Sequence, residues 1–264
     1  MRLISRRGTI CPGRWPLFLL CILTLVLARV ASGNLIVNGS FELVGSAPGS
    51  PASTFTTNYA AISANTLYGW TSAISAEPGA ANYLSTVNST ANWIPNPFLG
   101  SYSVQLDSSQ TTSAFAGGNS LSQTISLTSG TQYHLSFYMS AEAARGVATT
   151  STLNVILNGG GFSNFTSTFT ASAPGTDTKA TTADWVLQTL DFTVTATGNV
   201  TLTFQDIYTP NGTSSNASLD NISLDAVPEI PNGVAVGAFC LALVLMRKLG
   251  RFRLIPLSLR AQSR

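Results

Sequence analysis

The chain has 264 residues, room for one all-β domain or two small ones, with thirteen basic residues against eleven acidic ones. The charge is unevenly spread: five basic residues lie at or before Arg29 and six at or after Arg247, so residues 34–229 keep only Arg145 and Lys179 against all eleven carboxylates, a formal charge of −9. This excludes a nucleic-acid partner, which needs clustered Lys and Arg to replace phosphate counterions. Cys11, Cys21 and Cys240 all fall outside the same stretch, which excludes a disulfide, a thiolate zinc site and a cysteine nucleophile from it.

At the start, Arg2, Arg6, Arg7 and Arg14 precede the apolar run Trp15 to Ala28, and the small residues Ala31 and Gly33 stand at the −3 and −1 positions for a cut before Asn34. Residues 1–33 read as a secretory signal peptide; the run is short for a spanning helix. The body that follows is about 30% Ser and Thr and sparse in charge, so its surface is covered by hydroxyls. Alternating apolar positions set it apart from a disordered stalk: Leu121 to Leu127, Tyr133 to Met139, Leu153 to Leu157, Leu190 to Val194, and Val200 to Phe204. Period two with β-branched and aromatic residues predicts half-buried strands. Turn chemistry separates them at Thr128-Ser129-Gly130, Asn158-Gly159-Gly160-Gly161, Pro174-Gly175 and Thr197-Gly198-Asn199. The pattern predicts eight to ten strands in one antiparallel sandwich, most simply a jelly roll, with residues 50–65 and 175–183 as surface loops. Seven Asn-x-Ser/Thr sequons, among them Asn38 and Asn221, match what this composition produces by chance.

Beyond the body, Val227-Pro228-Glu229-Ile230-Pro231 leads into the uncharged run Gly233 to Met246 and then Arg247, Lys248, Arg251 and Arg253. With snorkelling by Arg247 and Lys248 this run reaches the hydrocarbon thickness, predicting a transmembrane helix at about 232–249. The basic cluster then stays cytoplasmic and the acidic body lies outside.

Catalysis finds little support. The body's one histidine, His134, shares a strand face with Ser136 and Tyr138, with no orienting carboxylate nearby in sequence, and nothing singles out a glycosidase pair among the carboxylates. No catalytic residue is assigned. For ligand contact, Trp93 stands in Asn92-Trp93-Ile94-Pro95-Asn96-Pro97-Phe98, where the prolines favour an irregular exposed segment. Asn92 and Asn96 there would bond sugar hydroxyls beside a stacking Trp93; simple loop anchoring explains the tryptophan equally well. Trp70 and Trp185, at strand edges, are expected in the core.

The order Pro228-Glu229, short hydrophobic helix, arginine-rich tail resembles the PEP-CTERM sorting signal of Gram-negative bacteria. That resemblance implies handover from the inner membrane to an exosortase-type sorting protease and delivery to the cell surface or exopolysaccharide matrix. In that family a second proline directly follows the glutamate, whereas here Ile230 intervenes before Pro231. Within the body, Asn34-Leu35-Ile36-Val37-Asn38-Gly39-Ser40-Phe41-Glu42 is followed by Leu67-Tyr68-Gly69-Trp70, Gly100 to Leu106, Leu121 to Ile125, Gly130 to Phe137, Trp185 to Phe192 and Leu219 to Leu224. This order resembles the galactose-binding-like β-sandwich superfamily, in particular the uncharacterised secreted family of plant cell walls that also occurs in bacteria. The resemblance implies a jelly roll and polysaccharide association, with no known reaction. It also implies a structural calcium ion shared by Glu42 and Asp220. The physical case is that a jelly roll brings its first and last strands together, placing two carboxylates where a cation relieves their repulsion. The alternative is that Glu42 pairs with a backbone amide and Asp220 with a turn.

The organisation expected is therefore a signal peptide over 1–33, a β-sandwich over 34–226, a sorting signal over 227–253 containing the helix, and a cytoplasmic tail over 254–264. The function expected is non-enzymatic association with extracellular polysaccharide. A structural or adhesive matrix protein without a defined ligand is the second expectation, and a secreted carbohydrate-active enzyme the third.

Overall fold

The computed structural model describes residues 33–45, 59–62, 67–74, 81–86, 95–108, 118–141, 148–173, 184–207 and 214–228. Twelve strands run through them: β1 (Tyr59–Ala61), β2 (Thr71–Ala73), β3 (Ala81–Thr86), β4 (Tyr102–Asp107), β5 (Ser120–Leu127), β6 (Gln132–Ala141), β7 (Thr149–Gly159), β8 (Phe162–Ala173), β9 (Val186–Thr193), β10 (Gly198–Ile207), β11 (Ser214–Ser215) and β12 (Ala217–Ala226). The compact unit that holds them spans Ser32–Val227. The expectation of eight to ten strands falls short because β1, β2 and β11 are two or three residues long, too short to show alternation. For the same reason β1 interrupts the loop expected over 50–65. The signal peptide, apart from Gly33, and the C-terminal helix with its basic tail lie outside the described residues, as do Asn92, Trp93 and Glu229. Among the described residues no helix is long and apolar enough to cross a membrane.

One sheet has the order β1-β3-β4-β12-β6-β9; the other runs β11-β7-β10-β5-β2, with β8 also pairing β7. Their common core is four nested antiparallel pairs, β4 with β12, β5 with β10, β6 with β9 and β7 with β8. The chain is thus a ribbon folded back on itself and wound across two sheets, which is the jelly-roll path. Inward residues alternate along each strand: Leu135, Phe137 and Met139 of β6 face Leu202 and Phe204 of β10, all at most 1% exposed. Phe137 and Phe204 meet edge to face across the two sheets, ring centroids 5.1 Å apart. Each such buried side chain contributes about 1.5–3 kcal/mol. Trp70 and Trp185 are buried as expected, at 5% and 6%.

The first segment of the body is tied in without forming a strand of its own. Leu35 N–H donates to Leu224 O and Ile222 N–H to Gly39 O, while Asn34 Oδ1 accepts from both Ile36 and Leu224 amides. Residues 34–39 therefore lie antiparallel along β12. Gly39 is required there, because a Cβ at that position would stand 1.9 Å from Ile222 O. Asn38, at φ 55°, closes the next turn: its side chain accepts from Leu43 N–H and donates to Leu43 O and Tyr68 O. Gln123 completes the tie. Its side chain accepts from Val37 N–H and donates to Val37 O and Gly69 O, standing in for a missing strand partner.

The two outward faces differ sharply. On the second sheet the outward side chains of β5, β10, β7 and β8 from Thr166 onward are hydroxyls and amides, interrupted by Ile156 and Ile207, with no charged residue. They bond one another across strands, as in Thr124 with Thr201 at 3.1 Å and Thr168 with Asn154 at 2.8 Å. The first sheet carries its charged groups outward, and one loop crosses it.

Candidate functional site

The site is the outward face of the first sheet, built from rows across β4, β12, β6 and β9. At one end Asp225, His134 and Asp191 stand side by side on β12, β6 and β9. His134 Nδ1 and Asp191 Oδ1 are 2.5 Å apart, with the two side chains 42% and 58% exposed. The carboxylate that sequence proximity did not supply comes from the neighbouring strand. It fixes the ring and leaves Nε2 turned from it, with no hydrogen-bond partner among the described residues. The next row is Ser223, Ser136 and Thr189. Asp225 accepts from Ser223 Oγ at 2.7 Å. Together these rows form a partly exposed patch of carboxylates, hydroxyls and an imidazole.

Above them lies the row Asp220, Tyr138 and Leu187. Here the segment Pro95–Ser101 crosses the face as a strap. Pro95 O accepts from Ser85 Oγ on β3, and Asn96 O accepts from Trp185 Nε1 ahead of β9. Phe98 stacks on Tyr138 with ring centroids 3.6 Å apart and planes 16° from parallel, and meets Trp185 edge-on. Two carboxylates hold the strap's backbone. Asp220 Oδ2 accepts from the amides of Phe98 and Leu99 at 2.8 and 3.0 Å, and its Oδ1 from Asn221. Glu42 Oε1 accepts from Ser101 and Tyr102 at 2.7 and 3.1 Å. Gly100, at φ +74°, makes this possible, since a Cβ would lie 2.3 Å from Glu42 Oε1.

Asp220 is fully buried, and its pKa is raised to about 7 by that burial, with the nearby Glu42 charge adding to it against the three amide bonds. Glu42 and Asp220 thus meet the same strap through backbone amides. They also fit a calcium ion in charge. Two carboxylates share one corner, one buried and repelled by the other, and a divalent cation relieves both burdens. The ion would share oxygens already bonded to amides. Among the described residues no group of three acids or histidines surrounds such a position.

Beside the strap, on the same outward face, Ser103, Gln105 and Ser218 are fully buried. Gln105 and Ser218 are direct cross-strand neighbours of β4 and β12. Among the described residues, Ser103 Oγ, Ser218 Oγ and both amide atoms of Gln105 have no hydrogen-bond partner, and neither has Asn96 Oδ1 within the strap. Nothing in the sequence marked Gln105; its burial on an outward position depends on what crosses the sheet. Of the residues expected to bind a ligand, Asn96 lies in the strap with its side-chain oxygen inside, and Asn92 and Trp93 are outside the described residues. Of the sorting pair, Pro228 is the last described residue.

No family model matches the chain, and no curated protein matches it. Among solved structures it is similar to TmCBM61 in complex with β-1,4-galactotriose, with TM-score 0.43 and 14% identity over 74% of this chain and all of that one. It is also similar to a CBM4 structure (0.39, 14%, 73% and 99%) and to the CBM22-1 xylan-binding domain from Paenibacillus barcinonensis Xyn10C (0.36, 15%, 76% and 99%). The jelly-roll assignment rests on the strand order above.

Proposed function

We propose that this protein binds extracellular polysaccharide, without catalysis, through the outward face of its first sheet. The observation that carries the reading is the partly exposed patch of Asp191, His134 and Asp225 with Ser136, Thr189 and Ser223, bordered by the Phe98–Tyr138 stack. Carboxylates and an imidazole accept from and donate to sugar hydroxyls, and an aromatic border suits the flat C–H face of a pyranose. The named similar structures that bind galactotriose and xylan support the reading. The test is affinity electrophoresis of the protein against the producing cells' extracellular polysaccharide: retardation is expected, lost in Asp191→Asn and His134→Ala. Unretarded wild-type protein overturns the reading.

The purely adhesive reading draws on a different observation, the uncharged hydroxyl face of the second sheet, and predicts no retardation by any soluble glycan. We place the protein at the cell surface or in the matrix, delivered by the signal peptide and then by an exosortase-type protease acting on Pro228-Glu229 at the inner membrane. Intact-mass measurement on surface material tests this: a chain of Asn34 to about Glu229 is expected. A calcium ion held by Glu42 and Asp220 would neutralise the corner where the strap is fastened.

A further inference from the structure

We propose that the strap Pro95–Ser101 occupies a second, covered glycan subsite, in which Tyr138, Asp220, Ser103, Gln105 and Ser218 receive a neutral pyranose when the strap lifts. This rests on the reading of the first sheet's outward face as the glycan surface. The strap's own contacts imitate those of a sugar. A flat group lies on Tyr138 at 3.6 Å, and N–H donors reach the Asp220 carboxylate, where hydroxyl donors would.

The imitation is incomplete, and the deficit is informative. Among the described residues, a fully buried primary amide and two buried hydroxyls are left unpaired beside the strap. Folded proteins pair nearly all such groups, and each unpaired one is costly. The strap has little to offer them: Pro95 and Pro97 have no N–H, and Phe98 and Leu99 bring apolar side chains. A pyranose brings several hydroxyls, each both donor and acceptor, which is the chemistry Gln105, Ser103 and Ser218 lack.

The charge of the corner sets the ligand class. With no cation bound, Glu42 and the ionised fraction of Asp220 repel uronic or sulfated sugars, so the cation-free subsite takes neutral ones. The fastening is uneven: Pro95 and Pro97 are buried and Phe98 is stacked on Tyr138, while Leu99 at the strap's tip is 55% exposed, so the tip is the part held only by the carboxylate–amide bonds. Because the ligand competes with the strap, wild-type affinity at this subsite is the open-site affinity reduced by the fraction open.

The test loosens the strap in the full-length chain in two ways. Gly100→Val drives a side chain into Glu42, and Phe98→Ala removes the stack on Tyr138; thermal melts confirm that each variant folds. Titration calorimetry uses three neutral probes, β-1,4-galactotriose, xylohexaose and cellohexaose, and one anionic probe, an oligogalacturonate. At least one folded loosened variant is expected to bind a neutral probe about tenfold or more tighter than wild type, with no gain for the anionic probe. Gln105→Leu on that background should remove the gain. Folded loosened variants that bind no tighter than wild type overturn the inference, as does a gain that survives Gln105→Leu. Wild-type binding that Asp191→Asn weakens and loosening leaves unchanged keeps the open patch as the glycan surface and discards the covered subsite. Binding confined to loosened variants does the reverse, and no binding by any folded variant discards both.

Discussion

The two outward faces of this sandwich come from one chain with one composition, yet they solve the problem of facing water differently. The second sheet does it with threonine, serine, asparagine and glutamine bonded to one another across strands, as Thr124 is to Thr201. Such bonds exchange water for a similar partner, so they neither stabilise much nor select a ligand. The first sheet concentrates Asp191, His134, Asp225 and Asp220 on one face and lays a strap over part of it. Its groups are partly withdrawn from water, where each hydrogen bond made or missed has a larger consequence. A face that is uniformly solvated tolerates change; a face that is half-covered does not.

The largest expected effect tests that contrast directly. Asp220→Ala deprives three backbone amides of their acceptor and should destabilise the fold by about 3 kcal/mol, whereas Thr201→Ala on the other sheet should stay within about 0.5 kcal/mol, both read by chemical denaturation. Equal losses would dissolve the distinction between the faces.

The next effect is linked to pH and metal. Asp220 holds its proton up to about pH 7 in the folded protein against an ordinary value of 3.8. The folded state therefore takes up a proton before the unfolded one on acidification. With a chelator present, the melting temperature should rise by several degrees as pH falls from about 7 towards 4, other acids aside, and this increment should vanish in Asp220→Asn. Calcium at neutral pH should raise the melting temperature of wild type and leave Asp220→Asn unchanged; a wild-type melt indifferent to both chelator and calcium sinks the ion.

Smaller again is the stability effect at the exposed end of the first face. His134→Ala should change stability by less than about 0.5 kcal/mol, as expected for an exposed pair, while weakening glycan binding about tenfold. The smallest is the double change Thr124→Ala with Thr201→Ala, for which neither binding nor melting should move measurably. A loss of glycan retardation there would shift the binding surface to the second sheet.

How far these faces were legible in the sequence follows from what each depends on. Period-two alternation exposed β5, β6, β7, β9 and β10, because side chains on a strand reach opposite sides whatever surrounds them. The inward position of Gln123 was visible in the same alternation, but its role was not: the Val37 backbone it ties lies 86 residues away. Likewise His134 lacked a carboxylate partner only along the chain, since Asp191 reaches it from β9 across 57 residues. Glu42 and Asp220 were singled out together, and they do converge, but on the amides of a strap whose path no local pattern announced. Gln105 was invisible for the same reason, because an outward residue is buried only by something that arrives from elsewhere.

The position of β12 has a mechanical consequence. It is the last strand of the sandwich in sequence, yet it lies between β4 and β6 with antiparallel partners on both sides, and residues 34–39 run along it as well. Tension applied beyond Val227 therefore pulls on an interior strand along its own axis. The hydrogen bonds to both neighbours share such a load in shear, and they must yield together, whereas an edge strand would peel one bond at a time. A sandwich tethered through this end and gripping a polymer on the face beside β12 would carry force straight through an interior strand bonded on both sides.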